Sequence, residues 1–430
     1  MYEPIDSLLR DEPTVDEVDF KSLYRKAHYE VTTADGWRLV VTRYQPVRQP
    51  FHQPLFGEPL LLVHGFSQNR HTWTSGQFVK NLLFFGVDIH VAELRGHGLS
   101  SVELQRRRAR EEGTPLPEDI DYGWDIDSYF LHDLPAIVEG VQRETGRQRI
   151  FYCGHSMGGM LGYGYAGLHD HFEGLITIGA PCDLGKGFFL LRLLALLEPA
   201  LGHALDTALL ALNLERRTRH LLGRGAGAGL KVLRMRRIAE RLLPAGAPPG
   251  ALSYRYVPLD EVLRWIGGML TPENIARYER VAPFLLNLIT NPARVTHEDV
   301  RWLLREGGER EPRGVIEQFA KWIRRGELAC YRTGYDFKRN FGRIRVPMAI
   351  IFGDMDKLAS VRSTAAVYRA AQSDYLLWRP VKGNSHIELT MGHDIRQICY
   401  DIKNLLEYAI THRRRRPSLP RLEGEGRARR

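Results

Sequence analysis

The stretch RIFYCGHSMGGM, Arg149–Met160, decides how this chain is read. Its first half is a continuous apolar run, the pattern of a strand buried on both faces of a parallel sheet. Its second half continues as LGYGYAGL to Leu168, small and apolar enough to begin a packed helix. Between them stands Gly154-His155-Ser156-Met157-Gly158, a G-x-S-x-G pentapeptide where a strand ends and a helix begins. Flanking glycines allow a sharp turn with Ser156 at its tip, the context of a nucleophile elbow. The plainer alternative is a serine in a glycine-rich turn. A serine hydroxyl is a weak nucleophile. It needs a base, a group that orients the base, and donors aimed at the oxyanion of the tetrahedral intermediate.

Strand-like runs of the same type occur on either side. LLLVHGF (Leu60–Phe66) and GVDIHVAEL (Gly86–Leu94) precede the pentapeptide, and GLITIGAP (Gly174–Pro181) follows it. A helical stretch, Asp127–Gly146, lies between two of them. Strands alternating with helices imply an α/β fold with a mostly parallel sheet. Ahead of these, Tyr29–Pro46 reads as a hairpin around Asp35-Gly36. The alternation stops at Pro181, and from Cys182 to about Phe341 the sequence reads as helical, without a convincing strand. Strands return at VPMAIIFGDMD (Val346–Asp356) and YLLWRPV (Tyr375–Val381), and a last helix is expected over His393–Ile410. The expected organisation is an N-terminal arm (1–20), a first core part (21–181), a helical cap inserted before the acid-bearing strand (182–341), a second core part (342–412) and a basic tail (413–430).

The partners of a catalytic serine should follow in the order acid, then histidine. Asp356 closes the strand VPMAIIFGDMD, and His386 sits in GNSHIEL after the next strand. Both would lie on the sheet edge that carries Ser156. Asp356 would hold the imidazole of His386, which would take the proton from Ser156. Asp354 and Asp183 are competing acids, with a turn or capping role as the alternative for Asp354. Two amides would form the oxyanion hole, that of Met157 after the nucleophile and that of Phe66 in VHGF. His64 and His97 read as loop-fixing residues, and His155 as a packing or locally hydrogen-bonded one.

In this order HGF, ELRGHGLS, GHSMGG, GDMD and NSHIE resemble the α/β-hydrolase superfamily, over about Tyr29–Pro181 and Val346–Thr411. The resemblance implies the α/β-hydrolase fold, helices on both faces of the sheet and a Ser156–His386–Asp356 triad. TTADGWRLVVTRY (Thr32–Tyr44) and Leu131–Gly159 are similar to the acid-lipase group, whose members cleave lipid esters and carry a helical cap. Met157 stands where that group usually has Gln, and GHSMGG is instead similar to bacterial esterases and monoacylglycerol lipases. Glu93 stands where many relatives have Asp.

The net charge of +9 is unevenly placed. Arg413–Arg430 holds eight Arg against two Glu, and Glu215–Arg241 holds nine Lys or Arg against two Glu. Solvated surface is the simpler reading of both; peripheral contact with an anionic membrane, or for the tail with nucleic acid, is the sharper one. No nucleic-acid partner is expected. Four dispersed cysteines, no secretory pattern in the opening residues and no long apolar run lead to the expectation of reduced thiols and a cytoplasmic protein, membrane-associated at most. No metal or organic cofactor is implied.

The expected function is therefore a serine hydrolase acting on a small hydrophobic carboxylic ester through an acyl-enzyme. Acyl transfer is the first alternative. Polyhydroxyalkanoate synthases look similar around DIDSYFLHDLPA (Asp125–Ala136) but carry Cys where this chain has Ser156. Carbon–carbon bond hydrolysis uses the same triad. A non-catalytic binding protein would have no need of all three residues. Epoxide and haloalkane hydrolysis would need a carboxylate at the elbow.

Overall fold

The computed structural model describes residues 20–48, 52–187, 192–193, 195–199, 255–269 and 290–413. Residues 1–19 of the arm, the basic segment 215–241 within the expected cap, and all but the first residue of the tail lie outside them.

Eight strands form one sheet in the order β1-β2-β4-β3-β5-β6-β9-β10. They are β1 Tyr24–Thr32, β2 Arg38–Pro46, β3 Pro59–Val63, β4 Asp88–Ala92, β5 Ile150–His155, β6 Phe172–Ile178, β9 Met348–Gly353 and β10 Leu376–Val381. The first two form the expected hairpin, β2 pairs antiparallel to β4, and all later pairings are parallel. Each apolar run read from the sequence is a strand.

The central strands are buried on both faces. On β5, Ile150 and Tyr152 enter one core while Phe151 and Cys153 enter the other. Neighbouring β3 alternates in the same way, with Leu61 and Val63 opposite Leu60 and Leu62. Their continuous hydrophobicity is thus the two-face burial of a parallel sheet. Helices cover both faces. α1 (Phe78–Phe84) and α9 (Ile395–Thr411) bury apolar residues in one core, and α3 (Leu134–Thr145) and α4 (Met157–Ala166) in the other. On α9 those residues recur at Ile395, Ile398, Ile402, Leu405, Leu406 and Ala409, a helical stripe. The helix expected over 127–146 is a composite. A turn capped by the Asp125 side chain passes through a π turn, Tyr129–Asp133, and becomes α-helical at Leu134. Pro135, which has no N–H to donate, stands where the π turn gives way to the α-helix. α2 (Val102–Glu112) follows β4, and α8 (Val361–Ala370) follows β9.

Between β6 and β9 the described residues include α5 (Leu259–Met269), α6 (His297–Glu306) and α7 (Arg313–Arg325). They also include a two-stranded antiparallel pair, β7 Tyr256–Val257 with β8 Glu311–Pro312. This corrects the expectation of a segment without strands. Two-residue strands are too short to leave a period-2 signature, and Pro312 argues locally against one. The sheet order reverses at β3, with β4 on one side and β5 on the other. The carboxyl ends of β3 and β5, where the order reverses, are the usual ligand position in such sheets.

Candidate active site

Ser156 stands at the end of β5 and caps α4, with φ 51° and ψ −118°. Few non-glycine residues occupy this region, and those that do are held there by their surroundings. Its N–H donates to Ile178 O at 2.9 Å, and its carbonyl accepts from Met160 N at 3.1 Å. Gly158 lies against the backbone of Val63 and His64, so close that a Cβ would collide with their carbonyl oxygens.

Asp356 and His386 are brought together. His386 Nδ1 lies 2.8 Å from Asp356 Oδ2, and both side chains are buried. The other carboxylate oxygen accepts the N–H groups of Leu358 and Ala359, each at 2.8 Å, so Asp356 is anchored by its own loop. Asp354 is exposed and accepts Gly383 N, while Asp183 pairs with Lys186 and Lys338. Neither competing acid bonds to the imidazole. Burial alone would lower the His386 pKa, but the adjacent Asp356 carboxylate more than offsets this and holds it above the ordinary value.

His386 reaches the elbow's edge of the sheet. A Cβ on Gly179 would lie 3.2 Å from its Nδ1, and Gly179 follows the Ile178 that accepts the Ser156 N–H. The ring of His155, beside Ser156, is centred 4.8 Å from that of His386. Ser156 Oγ makes no hydrogen bond to His386 or to any other group among the described residues.

The loop after β3 crosses the elbow. A Cβ on Gly65 would lie 2.8 Å from Ser156 Cβ, so only glycine lets the loop approach this closely. Gln68 Oε1 accepts Gly65 N at 3.0 Å and sits 2.9 Å from His155 Nδ1. Phe66 N–H has no acceptor among the described residues, and Met157 N–H is the first amide of α4, with no intrahelical partner. His155 Nε2 lies 3.3 Å from the His386 carbonyl, and burial together with His386 holds the His155 pKa well below its ordinary value. His64 accepts Leu94 N through Nε2 at 3.2 Å, its Nδ1 lies 2.9 Å from Gly65 O, and burial lowers its pKa well below the ordinary value.

His97 does more than fix its own loop. Its Nδ1 lies 2.8 Å from Arg95 O, and its Nε2 lies 3.4 Å from Glu311 Oε1 on β8. Burial would lower its pKa, but Glu311, and Glu309 behind it, raise it to about 9. Glu309 accepts Gly98 N at 2.9 Å and Asn69 Nδ2 at 2.7 Å. Glu93 is buried and holds the same region from the other side, accepting Arg70 and Leu99 N.

A family model described as the alpha/beta hydrolase fold matches residues 58–211, which contain β3 to β6 and the elbow. The chain has the α/β-hydrolase fold. The chain is 25% identical over 144 residues to lipase member M of Mus musculus, which is 33% of this chain and 32% of that protein. It is 26% identical over 145 residues to the gastric triacylglycerol lipase of Homo sapiens, 33% of this chain and 34% of that one. The chain thus spans about a third of the length of the relatives it matches. Among solved structures, DcsB in complex with its substrate analogue aligns with 90% of this chain and all of its own, at 11% identity and a TM-score of 0.46.

Four residues of this site were not read from the sequence. Gln68 has no motif to announce it. Glu309 and Glu311 arrive from a segment more than 200 residues away from the loop they touch. Glu388 could have been found, because Ser385-His386-Ile387-Glu388 has the spacing of a capping box. Burial raises its pKa to about 7, opposed in part by His386. Among the described residues, no three His, Cys, Asp or Glu side chains are grouped so as to hold a metal ion, and no helix is long and apolar enough to cross a membrane. All four cysteines are free and buried.

Proposed function

We propose that this protein cleaves carboxylic esters with a hydrophobic acyl group, using Ser156 as nucleophile, His386 as general base and acid, and Asp356 as the group that orients the imidazole. The observation that carries the reading is the 2.8 Å contact between His386 Nδ1 and a buried, anchored Asp356 carboxylate, on the sheet edge where Ser156 holds a positive φ. With Nδ1 donating to Asp356, Nε2 is the basic nitrogen that takes the Ser156 proton as Oγ attacks the ester carbonyl. The Phe66 and Met157 amides stabilise the resulting oxyanion. Collapse of the intermediate releases the alcohol, which takes its proton from His386. Water activated by the same imidazole then frees the acid and regenerates Ser156. The Phe66 and Phe319 rings, 5.3 Å apart and edge to face, form an apolar wall beside the elbow and favour an apolar acyl chain. Phe319 belongs to α7, so the segment between β6 and β9 serves as the cap of the site.

The test is hydrolysis of p-nitrophenyl esters from acetyl to palmitoyl by the wild type and by Ser156→Ala. A maximum at one chain length that is abolished in the variant supports the reading and sizes the acyl pocket. Absence of turnover in the wild type, or turnover that survives the substitution, overturns it.

A further inference from the structure

Ser67 follows the oxyanion-hole residue Phe66 and has φ 54° without being glycine. Every polar group it owns is bonded to one short stretch, 309–311, of the segment between β6 and β9. Its N–H donates to the Glu311 carboxylate. Its Oγ donates to Glu309 O at 2.7 Å, and its carbonyl accepts Glu309 N at 3.1 Å. The next residue but one is held by the same stretch, since Asn69 Nδ2 donates to Glu306 O at 2.9 Å and to the Glu309 carboxylate. Glu311 is fully buried, and its second carboxylate oxygen has no hydrogen-bond partner among the described residues. Burying a carboxylate is costly, and a residue that served only the small β7–β8 pair would not need one. Here the charge faces His97 and a main-chain N–H, which a neutral apolar side chain cannot satisfy.

We propose that Glu311 is a positioning residue for the oxyanion hole: it holds Ser67 in the left-handed conformation and thereby fixes the direction of the Phe66 N–H. This rests on the ester-hydrolase reading above and adds a dependence of that site on the inserted segment. Gly65 to Gln68 form one turn, closed by Gln68 Oε1 on Gly65 N. When Ser67 relaxes to a negative φ, the course of the chain through Phe66 changes and Gln68 leaves its place. The oxyanion donor then points away from the elbow, although Ser156, His386 and Asp356 are untouched. The loss therefore falls on the transition state rather than on substrate binding.

The experiment measures kcat and KM for p-nitrophenyl butyrate, and Ki for an alkyl trifluoromethyl ketone whose tetrahedral adduct places an oxyanion in the hole. Glu311→Leu keeps the volume but removes the acceptor. It is expected to lower kcat by about 10- to 100-fold with KM nearly unchanged, and to raise Ki by the same factor. Glu311→Gln still offers an oxygen to Ser67 N–H and is expected to stay within about threefold of the wild type. Ser67→Gly placed in Glu311→Leu should recover part of the lost kcat, because glycine adopts this φ without being held. Should Glu311→Leu fail to fold, Ser67→Ala removes just the bond to Glu309 O, and is expected to lower kcat by about threefold to tenfold at constant KM. Wild-type kcat and Ki in Glu311→Leu, or in Ser67→Ala where that variant stands in, overturn the proposal. So does equal loss in Glu311→Gln and Glu311→Leu. A wild type without Ser156-dependent turnover instead overturns the ester-hydrolase reading, and this proposal with it.

Discussion

Two serines near this site have a positive φ, and they are held in opposite ways. Ser156 is held by its neighbours in the core: the end of β5, the start of α4, the carbonyl of Ile178 and the close approach of Gly65 and Gly158. Ser67 is held by residues 242 and 244 positions away, in the segment between β6 and β9. The proposed nucleophile is therefore a property of the sheet and its turn. The loop that carries the proposed oxyanion donor is a property of how a distant segment docks. Damage to the first should abolish chemistry outright, and damage to the second should weaken it by degrees.

The largest effect expected is at Ser156 itself. Ser156→Ala should lower kcat on p-nitrophenyl butyrate by at least about 10⁴-fold, with circular dichroism unchanged. Activity left near the wild-type level would place the nucleophile elsewhere. Asp356→Asn comes next, with a loss of about 10⁴-fold or somewhat less. It also has a pH signature. The pKa of His386 is held above its ordinary value, so its neutral, basic form is lost as pH falls through that raised value. The acidic limb of kcat/KM should accordingly lie above pH ~6.5 in the wild type. It should move to lower pH in Asp356→Asn, where the anion that raises the pKa is gone. A limb that does not move would detach Asp356 from the base.

Stability measurements separate the two serines again. Ser156→Gly relieves the strained φ at the cost of activity, and should stabilise the fold by about 1 kcal/mol in urea denaturation. Ser67→Gly relieves a similar φ but loses the bond from Oγ to Glu309 O, so its net change should be about zero. Equal stabilisation by both would mean that Glu309 and Glu311 do not hold Ser67.

The smallest effect is a pH trend in thermal unfolding. Glu388 has a folded pKa raised to about 7, so it contributes stability that is full at low pH and is lost as pH rises through about 7. His97, raised to about 9, contributes stability that is full below pH ~6.5 and is lost as pH rises through about 9. Tm should fall in two steps over this range, and Glu388→Gln should remove the lower one. A single step unchanged by that substitution would show that the Glu388 carboxyl does not take up its proton on folding.

Much of this was legible in the residues alone. Largely apolar runs at Leu60–Phe66, Gly86–Leu94 and Arg149–Ser156 suited strands covered on both faces. The order Ser156, Asp356, His386 followed from where those strands end. These readings succeed because strand burial, helix periodicity and a glycine-flanked turn are written within ten or so consecutive residues. The same local logic misread Glu311–Pro312, since two residues carry no period and their partner, Tyr256–Val257, lies more than 50 positions earlier. It also read His97 as a fixture of its own loop, because nothing near His97 announces the Glu311 that raises its pKa.

What the sequence by itself determined is the sheet, the elbow and the identity of the residues that reach its edge. Only the tertiary structure decided which acid meets His386, which amides near the elbow are left without an acceptor, and what holds Ser67 in place. Backbone patterning is set by neighbours along the chain, whereas a buried carboxylate is placed by the N–H and imidazole groups that the folded chain brings to it.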